Sequence, residues 1–383
     1  MNSAVDSVLP EVIRIRRFLH QQPELSGNEQ QTAQLVADTC RAMGLDVRQG
    51  IGGHGVLACL QINPKRPWLA FRADMDALPI QDNKQQPYAS PIPNISHSCG
   101  HDAHTAILFG TIKLLCHFKQ ALNHNIAFVF QPAEETGAGA RAVIADAKFP
   151  IIKPDYAFAL HNLPGMTLHH VGVKSGAFNH ASEGLSISLT GYTSHACYPE
   201  QGLSPAAALT ELVTALPNLP TELAMEKGTG LVTLVHARLG TEDFGISPGD
   251  AKIMATIRGQ SDNDKEALMK RAKELANNVA KTHGLKIEME TADRFSACTN
   301  DPVATDIIRK AFQQTGAAAT ELDAPYRWSE DFGEFSGHTK SAFFVLGAGE
   351  DCPKLHNPDY DFPDEIAATG INIFHAIARD LCG

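Results

Sequence analysis

Short, almost wholly apolar runs alternate with helical segments in the first half of the chain. Four such runs of four to six residues lie at 55–60, 68–71, 126–130 and 156–160. Strands with both faces buried read as continuous apolar runs, and residues 105–122, between the second and third runs, have the periodicity of a helix. This alternation predicts an α/β fold with a mainly parallel sheet.

The pattern changes near residue 180, where apolar and polar residues begin to alternate. Leu185, Ile187 and Leu189 are separated by serines, as in a strand with one exposed face. The segments that follow read helix, strand, strand, helix, strand, which completes the βαββαβ pattern of a ferredoxin-like fold. We therefore expect one discontinuous α/β domain, residues 1–179 and 293–383, interrupted by an inserted βαββαβ domain at 180–292.

Composition excludes several classes of partner. The 383 residues include 32 basic and 43 acidic side chains, a net charge of −11, which would repel a nucleic-acid backbone or an anionic membrane surface. No run approaches the roughly 18 apolar residues of a membrane span, and the N-terminus lacks the features of a leader. We expect a cytoplasmic protein whose partners are small molecules or proteins. The eight cysteines show no spacing typical of a disulfide framework.

Polar residues follow three of the buried runs at the point where each predicted strand ends. Asp74 follows the second run, Glu134 and Glu135 follow the third, and His161 follows the fourth. Ligands of open α/β sheets bind outside the carboxyl ends of the strands, so these side chains are expected to converge on one crevice. Adjacent glutamates usually begin a solvated helix, but here their position favours a functional role.

A second group of polar residues combines a thiol, two imidazoles and a carboxylate just before a predicted helix. These are Cys99, His101, Asp102 and His104, and His356 adds another imidazole near the C-terminus. Thiolate, imidazole and carboxylate together suit zinc and its first-row neighbours better than magnesium or calcium. The set predicts a metal site, although a single histidine or cysteine would carry little weight.

Other catalytic patterns lack the sequence context that their chemistry needs. Residues 245–249 match the nucleophile-elbow pattern G-x-S-x-G, but a strand rather than the required helix is predicted to follow. The chain has no H-E-x-x-H, P-loop or dinucleotide-binding motif. A cysteine hydrolase that uses Cys99 with His101 or His104 stays open, as does a non-catalytic binding protein. Chelator treatment would separate a thiol enzyme from a metal enzyme.

Several short motifs occur in order along nearly the whole chain. They are HQQPEL at 20–25, FRADMDALP at 71–79, SHSCGHDAH at 96–104, FQPAEE at 130–135, SHA at 194–196, SEDF at 329–332 and LHNP at 355–358. In these motifs the chain resembles the amidohydrolase branch of the peptidase M20 family. That branch holds hippurate hydrolases, indole-acetyl-amino-acid hydrolases and N-acetyl-diaminopimelate deacetylases.

The resemblance implies an enzyme that cleaves the amide bond of N-acyl amino acids with metal-activated water. It implies two divalent metal ions, zinc, manganese, cobalt or nickel. The implied ligands are Cys99, His101, Glu135, His161 and His356, with Cys99 a candidate to bridge both ions. Glu134 matches the general base, which we expect to pass the proton on to the leaving amine.

The resemblance also implies roles outside the ligand set. The inserted domain would be a lid that can pair two subunits as a homodimer, and His195 in it matches a histidine that helps to hold the substrate or the developing oxyanion. Asp74 and Asp102 resemble carboxylates that orient metal ligands. Arg258, which closes a lid strand, is our choice to bind a substrate carboxylate, with Arg238 as the alternative.

Two departures from the family pattern leave the substrate open. Residues 191–195 read GYTSH, where many relatives have a glycine-rich run before the histidine. Residues 245–248 read GISP, where many have an asparagine that helps to bind substrate. A dipeptidase or carboxypeptidase of the same architecture is therefore the nearest rival, since it differs only in what precedes the scissile amide.

Overall fold

The computed structural model describes residues 3–149 and 152–382. Within these ranges no helix is both long enough and apolar enough to cross a membrane. The chain divides into two compact units. We call them the large unit, which comprises the residues up to Phe178, Cys298–Pro325 and those from Glu330 onward, and the inserted unit, which comprises Asn179–Ala297 and Tyr326–Ser329.

The described residues form α-helices and β-strands, each numbered in chain order. The helices are α1 (Ser3–His20), α2 (Gln30–Ala42), α3 (His101–His117), α4 (Gly139–Ala145), α5 (Ala206–Ala215), α6 (Leu219–Glu222), α7 (Asp262–Thr282), α8 (Pro302–Thr315) and α9 (Ala367–Cys382). The strands are β1 (Asp46–Ile51), β2 (Gly55–Leu60), β3 (Trp68–Asp74), β4 (Asn125–Gln131), β5 (Tyr156–Leu163), β6 (Val171–Val173), β7 (Gly176–Asn179), β8 (Ala181–Thr190), β9 (Ser194–His195), β10 (Gly230–Leu239), β11 (Ile246–Ser247), β12 (Asp250–Gly259), β13 (Lys286–Phe295), β14 (Cys298–Asn300), β15 (Ala319–Glu321) and β16 (Lys340–Gly347).

An eight-stranded sheet forms the centre of the large unit, in the order β1-β2-β4-β3-β5-β16-β6-β15. The four strands β4, β3, β5 and β16 run parallel to one another. The flanking pairs β1–β2, β2–β4 and β6–β16 are antiparallel. The predicted α/β fold is confirmed, and the four apolar runs lie in β2, β3, β4 and β5.

The core of the large unit explains why these strands are apolar on both faces. Every residue of β2 and β4 is buried, and helix α3 packs against α1, α9 and β3. Phe71 of β3 stacks on Phe128 of β4 at 6.2 Å and meets Phe374 of α9 at 4.9 Å between ring centroids. Helices on the faces of the sheet therefore leave its strand ends, rather than its faces, open for chemistry.

The inserted unit contains a four-stranded antiparallel sheet in the order β10-β12-β8-β13. The alternation seen in the sequence has a direct cause, because Leu185, Ile187 and Leu189 of β8 are buried on one face of this sheet. Helices α5 and α7 contact that sheet. The Ser261–Asp264 capping box begins α7. The domain boundaries at 179/180 and 292/293 stay a prediction.

Two short strands of the inserted unit carry residues that the sequence singled out. Strand β9 pairs with β11 so that His195 lies opposite Ile246 and Ser194 opposite Ser247. Strand β12 follows the G-x-S-x-G segment, so the helix that a nucleophile elbow needs is not there. Ser247 is therefore a residue of a short strand.

Candidate metal centre

Three neighbouring parallel strands carry polar residues to the same edge of the large sheet. Asp74 is the last residue of β3, Glu134 and Glu135 follow the end of β4, and His161 lies in β5. Since β4, β3 and β5 are adjacent and parallel, their carboxyl ends meet at one edge. The crevice expected from the sequence corresponds to this edge.

The structure brings together the five residues that the resemblance implied as ligands. Cys99 Sγ lies 3.4 Å from His161 Nε2. Glu135 Oε1 lies 3.8 Å from His101 Nε2, and Glu135 Oε2 lies 3.5 Å from His356 Nε2. Two groups of donor atoms, each within 4.8 Å of one another, share the Cys99 thiol: Cys99 with His101 and His161, and Cys99 with Glu135 and His356.

Hydrogen bonds fix which nitrogen of two histidines faces this cluster. His101 Nδ1 lies 3.0 Å from the Asp76 carbonyl oxygen and 3.2 Å from its carboxylate. His161 Nδ1 lies 2.7 Å from the Asn162 carbonyl oxygen. Both Nδ1 atoms therefore donate, and in both residues Nε2 is the nitrogen that faces the cluster. This is the arrangement that metal-ligating histidines adopt.

Burial and mutual repulsion shift the titration of the acidic groups. Burial raises the pKa of Glu135 to about 7, against the opposing influence of His101. Burial, reinforced by Glu135 and Glu134, raises the pKa of the Cys99 thiol well above its usual value. Burial would lower the pKa of His101, but Asp74 and Asp76 outweigh it and raise that pKa to about 10. The site thus crowds acidic groups together, and positive charge from protons or from bound cations relieves their repulsion.

The donor set fits divalent metal ions. His101 Nε2 and Glu135 Oε1 are buried and have no hydrogen-bond partner, which is rare for buried polar atoms. Thiolate, imidazole and carboxylate are the ligand types that zinc and its first-row neighbours take. Cys99, His101, Glu135, His161 and His356 are therefore the residues that would hold such ions.

Glu134 occupies a different environment from Glu135. It is buried, and its Oε1 accepts a long 3.4 Å hydrogen bond from the Asp331 backbone N–H. Burial, followed by the nearby carboxylates of Glu330, Glu135 and Asp331, raises the pKa of Glu134 well above its usual value. A carboxyl group with a raised pKa beside a ligand set is suited to accept and return a proton.

One buried arginine organises the carboxylates around Glu134. Arg72 of β3 donates to Asp74 at 2.6 Å, to Glu330 at 2.8 Å and to Asp331 at 2.7 Å. Gln131 accepts from the same guanidinium at 2.8 Å and donates to both oxygens of Asp331. This network joins the SEDF segment to the ends of β3 and β4.

The two carboxylates predicted to orient ligands differ in what they contact. Asp74 accepts from His104 Nδ1 at 2.6 Å, and its other oxygen lies 3.9 Å from His101 Nε2. Asp102 instead accepts from Arg16 at 2.9 Å and from His20 at 2.7 Å. Asp102 thus bonds to α1 rather than to an implied ligand, because it lies on the face of α3 that packs against α1.

The turn that leads into α3 needs a glycine. Gly100, the N-cap of α3, has φ +95°, which strains any residue with a Cβ. A Cβ there would also meet the Asn162 side chain inside normal contact distance. Because Gly100 separates Cys99 from His101, this turn sets the spacing of two implied ligands. His356 also has a positive φ, +62°, as strained residues at functional sites often do.

His195 and Arg258 both belong to the inserted unit. His195 is exposed, and its Nδ1 accepts from the Cys197 backbone N–H at 3.2 Å and lies 3.0 Å from Cys197 Sγ. Arg258 is half-buried and donates to the Arg327 carbonyl oxygen at 3.0 Å and to Ser329 Oγ at 2.9 Å. Arg238 is paired with Asp250, which leaves Arg258 the better placed of the two for a ligand.

Sequence reasoning missed several residues that support the centre. Asp76 bonds to His101 and to the Glu135 backbone N–H at 3.0 Å, and Asn162 bonds to His104 and Tyr360. The signal for Asp76 was its position two residues beyond Asp74 at the same strand end. Nothing local marks Asn162, since its partners come from α3 and the C-terminal segment.

Comparison with known proteins assigns the family. The profile of peptidase family M20/M25/M40 matches residues 70–380. The hippurate hydrolase of Campylobacter jejuni is 30% identical over 97% of this chain and 98% of its own, and an N-acetyl-L-cysteine deacetylase of Bacillus subtilis is 30% identical over 95% and 86%. A solved structure from Bacillus subtilis, described as a dinuclear metal-binding peptidase of the M20 family, superposes with TM-score 0.82 at 25% identity over 98% of this chain and 99% of that one.

The relatives found by these comparisons are hydrolases, and the donor set at the strand ends of this α/β fold is of the kind that a metal-dependent hydrolase needs. The chain belongs to peptidase family M20/M25/M40. The family predicted from the motifs is thereby confirmed, and so are the fold class and the assignment to hydrolases of amide bonds.

Proposed function

We propose that this chain cleaves N-acyl amino acids to a carboxylic acid and a free amino acid, using two divalent metal ions. Hippurate and N-acetyl-L-cysteine, for which two of its relatives are named, are both N-acyl amino acids. The observation that carries the proposal is the pair of donor groups that share the Cys99 thiol. Two overlapping groups fit two neighbouring ions better than a single one.

The implied ligands supply the donor atoms for the metal ions in this proposal. Cys99, His101, Glu135, His161 and His356 supply one sulfur, three imidazole nitrogens and a carboxylate. Asp76 holds His101 in orientation, and Asp74 holds the neighbouring His104. Divalent ions in such a site polarise a carbonyl and lower the pKa of water. Bound cations would also favour the ionised forms of Cys99 and Glu135, which repel each other in their absence.

Glu134 acts as the proton carrier in this proposal. Its carboxylate takes a proton from the attacking water and returns it to the nitrogen of the leaving amino acid. The raised pKa that burial and the neighbouring carboxylates give Glu134 supports that role, because a raised pKa makes the carboxylate a better proton acceptor. General acid–base catalysis of this kind contributes about 10²- to 10⁴-fold in rate.

The inserted unit supplies substrate contacts and a surface for a second copy of the chain. We assign it the role of the predicted lid at residues 180–292, with Arg258 binding the substrate α-carboxylate. His195 would donate from Nε2 to the substrate carbonyl oxygen, since its Nδ1 already accepts from Cys197. Strand β10 lies at a sheet edge with Leu231, Val235 and other apolar residues exposed. Edge strands of this kind favour pairing with another chain, which supports a homodimer.

Metal analysis combined with a turnover screen tests this function. We expect about two ions per chain and cleavage of N-acetyl or N-benzoyl amino acids that stops on chelation and returns with manganese, zinc, cobalt or nickel. Glu134→Gln should keep the metal and lose about 10²- to 10⁴-fold in kcat, whereas the control Glu365→Gln, at an exposed glutamate, should behave as wild type. Less than one ion per chain together with chelator-resistant cleavage would refute the metal mechanism, and preference for dipeptides would favour the dipeptidase alternative.

A further inference from the structure

An unusual group of buried polar atoms lies in the inserted unit, outside the metal centre. The side chain of Asn179 is fully buried, and neither its oxygen nor its nitrogen has a hydrogen-bond partner. The neighbouring His180 is 2% exposed, and its Nδ1 is also without a partner. Buried polar atoms left unpaired cost stability, so two adjacent residues in this state point to a ligand.

Two arginines lie beside this pair. The backbone N–H of His180 donates to the Tyr326 carbonyl oxygen at 3.0 Å, and the next residue along that segment is Arg327. Arg258 reaches the same segment through the Arg327 carbonyl oxygen and Ser329 Oγ. The group thus comprises Asn179, His180, Arg258, Arg327 and Ser329, which all belong to the inserted unit.

The two arginines of this group lack a paired carboxylate among the described residues. In the part of the chain that the structure describes, no carboxylate forms an ion pair with Arg258 or Arg327, in contrast to Arg238, which pairs with Asp250. Asp264 faces His180, but its carboxylate accepts from the Ser261 backbone N–H at 3.0 Å and from its hydroxyl at 2.6 Å. Burial and then the two arginines lower the pKa of His180. Two neighbouring arginines without a paired carboxylate, of which Arg258 is half-buried, favour an anionic ligand.

The number of free donors exceeds what one carboxylate can use. A bidentate pair with a carboxylate occupies two N–H groups of one guanidinium. One guanidinium nitrogen of Arg258 donates to the Arg327 carbonyl oxygen and to Ser329 Oγ. Its other N–H groups are enough for the α-carboxylate that the proposed function assigns to it. Arg327 is exposed and keeps its own donors for another acceptor.

Chain connectivity links this group to the catalytic carboxylates. Ser329 is bonded directly to Glu330, which forms a group of acidic atoms with Asp331 and Glu134 within 4.8 Å. The proposed function assigns Arg258 to the substrate, and Arg258 donates to the carbonyl oxygen of Arg327. We therefore treat a ligand held by Arg327 as part of the same substrate.

We propose that Arg327, with His180 and Asn179, binds a second carboxylate and so selects N-acyl amino acids that carry two. This inference rests on the proposed function and narrows its substrate class. The second carboxylate can come from an acidic amino-acid side chain or from a dicarboxylic acyl group. In both cases it would pair with the Arg327 guanidinium while Arg258 holds the α-carboxylate.

Matched substrates test this assignment. The metal-loaded enzyme is assayed with N-acetylglutamate and N-succinylglutamine, each against the neutral N-acetylglutamine. We expect a higher kcat/KM for at least one of the two dianions, and which one shows the source of the second carboxylate. Arg327→Met should remove that preference, by about 10- to 100-fold for one charge-assisted hydrogen bond, and leave N-acetylglutamine within about threefold. The backbone carbonyl that holds Arg258 stays in place in this variant, and Arg238→Met serves as control.

Binding measurements separate a failure of this assignment from a failure of the proposed function. Calorimetric titration of the Glu134→Gln enzyme with the same three compounds reports selection without turnover. Tighter binding of a dianion that disappears in the added Arg327→Met variant would support the assignment even if no substrate were cleaved. Equal kcat/KM and equal affinity for all three compounds would overturn it, as would an Arg327→Met change that weakens N-acetylglutamine as much as the dianion.

Discussion

Replacement of Gly100 by alanine should damage both stability and metal binding, because two independent costs coincide there. The φ of +95° at the N-cap of α3 costs a residue with a Cβ about 1–2 kcal/mol. The new methyl group would also displace the Asn162 side chain, which bonds to His104 and to Tyr360, each at 2.6 Å. Loss of two such hydrogen bonds adds about 2 kcal/mol, for a total of about 3–4 kcal/mol.

Gly316 provides a matched control for the backbone cost alone. It ends α8 with φ +70°, and a Cβ there would meet nothing within 4 Å. We therefore expect Gly316→Ala to cost about 1–2 kcal/mol and to leave activity unchanged. The difference between the two variants, about 2 kcal/mol, measures the clash with Asn162.

Urea unfolding and metal analysis check the prediction together. Gly100→Ala should lower the unfolding midpoint more than Gly316→Ala without a change in m. It should also bind metal about 10- to 100-fold more weakly, because a shift of Asn162 moves the carbonyl that holds His161. If Gly100→Ala is no less stable than Gly316→Ala and keeps its full metal content, the argument that this turn sets the ligand spacing is wrong.

Three further predictions concern other parts of the molecule. Arg72→Met leaves buried carboxylates without their cation and should lower the free energy of unfolding by about 3–5 kcal/mol. Chemical denaturation measures this loss, and a loss below about 1 kcal/mol would contradict the prediction. Burial lowers the pKa of His375 to about 4. Below pH 6.5 the unfolded chain therefore binds a proton that the folded chain does not, and the free energy of unfolding should fall by up to about 2 kcal/mol, allowing for solvent screening, as the pH falls towards 4. A His375→Leu variant with the same dependence of stability on pH would refute this. The thiol of the exposed Cys197 contacts His195, so its alkylation should lower kcat/KM without changing the melting temperature. The Cys197→Ala variant should resist the reagent. Equal inhibition of both proteins would contradict the role of His195.

The apolar periodicity of the sequence predicted most of the fold because burial imposes it. Runs buried on both faces, such as 126–130, and one-face alternation, such as Leu185 to Leu189, correspond to β4 and β8. Strand β1 was missed, since it is an edge strand with an exposed and mixed pattern. The antiparallel pairs beside the parallel strands were not predicted either, because strand pairing depends on connections that no local pattern encodes.

The site was predictable where chemistry and position coincide. Glu134, Glu135 and His161 stand at strand ends, and that position made them candidates before any resemblance was considered. Asp76 stands at the same strand end as Asp74, but the contacts of Asp76, Asn162 and Arg72 were not predictable in this way, because their partners lie far away in sequence. The role predicted for Asp102 stays a prediction, since its carboxylate bonds to Arg16 and His20 of α1 while the neighbouring His101 lies among the implied ligands.

The order in which the chain is synthesised gives the divided large unit a further consequence. Strand β16 completes the parallel set by pairing with β5, Lys340 opposite Tyr156, and Glu330, Asp331 and His356 also come from the segment after the insert. During synthesis on the ribosome, the edge of β5 that pairs with β16 therefore stays unpaired while the inserted unit emerges and can already fold. Long-range parallel pairing of this kind is slow and exposes the nascent chain to aggregation. A chain released before β16 would lack His356 and so would lack one residue of the proposed ligand set. We therefore expect metal uptake to mark the chains that have finished folding.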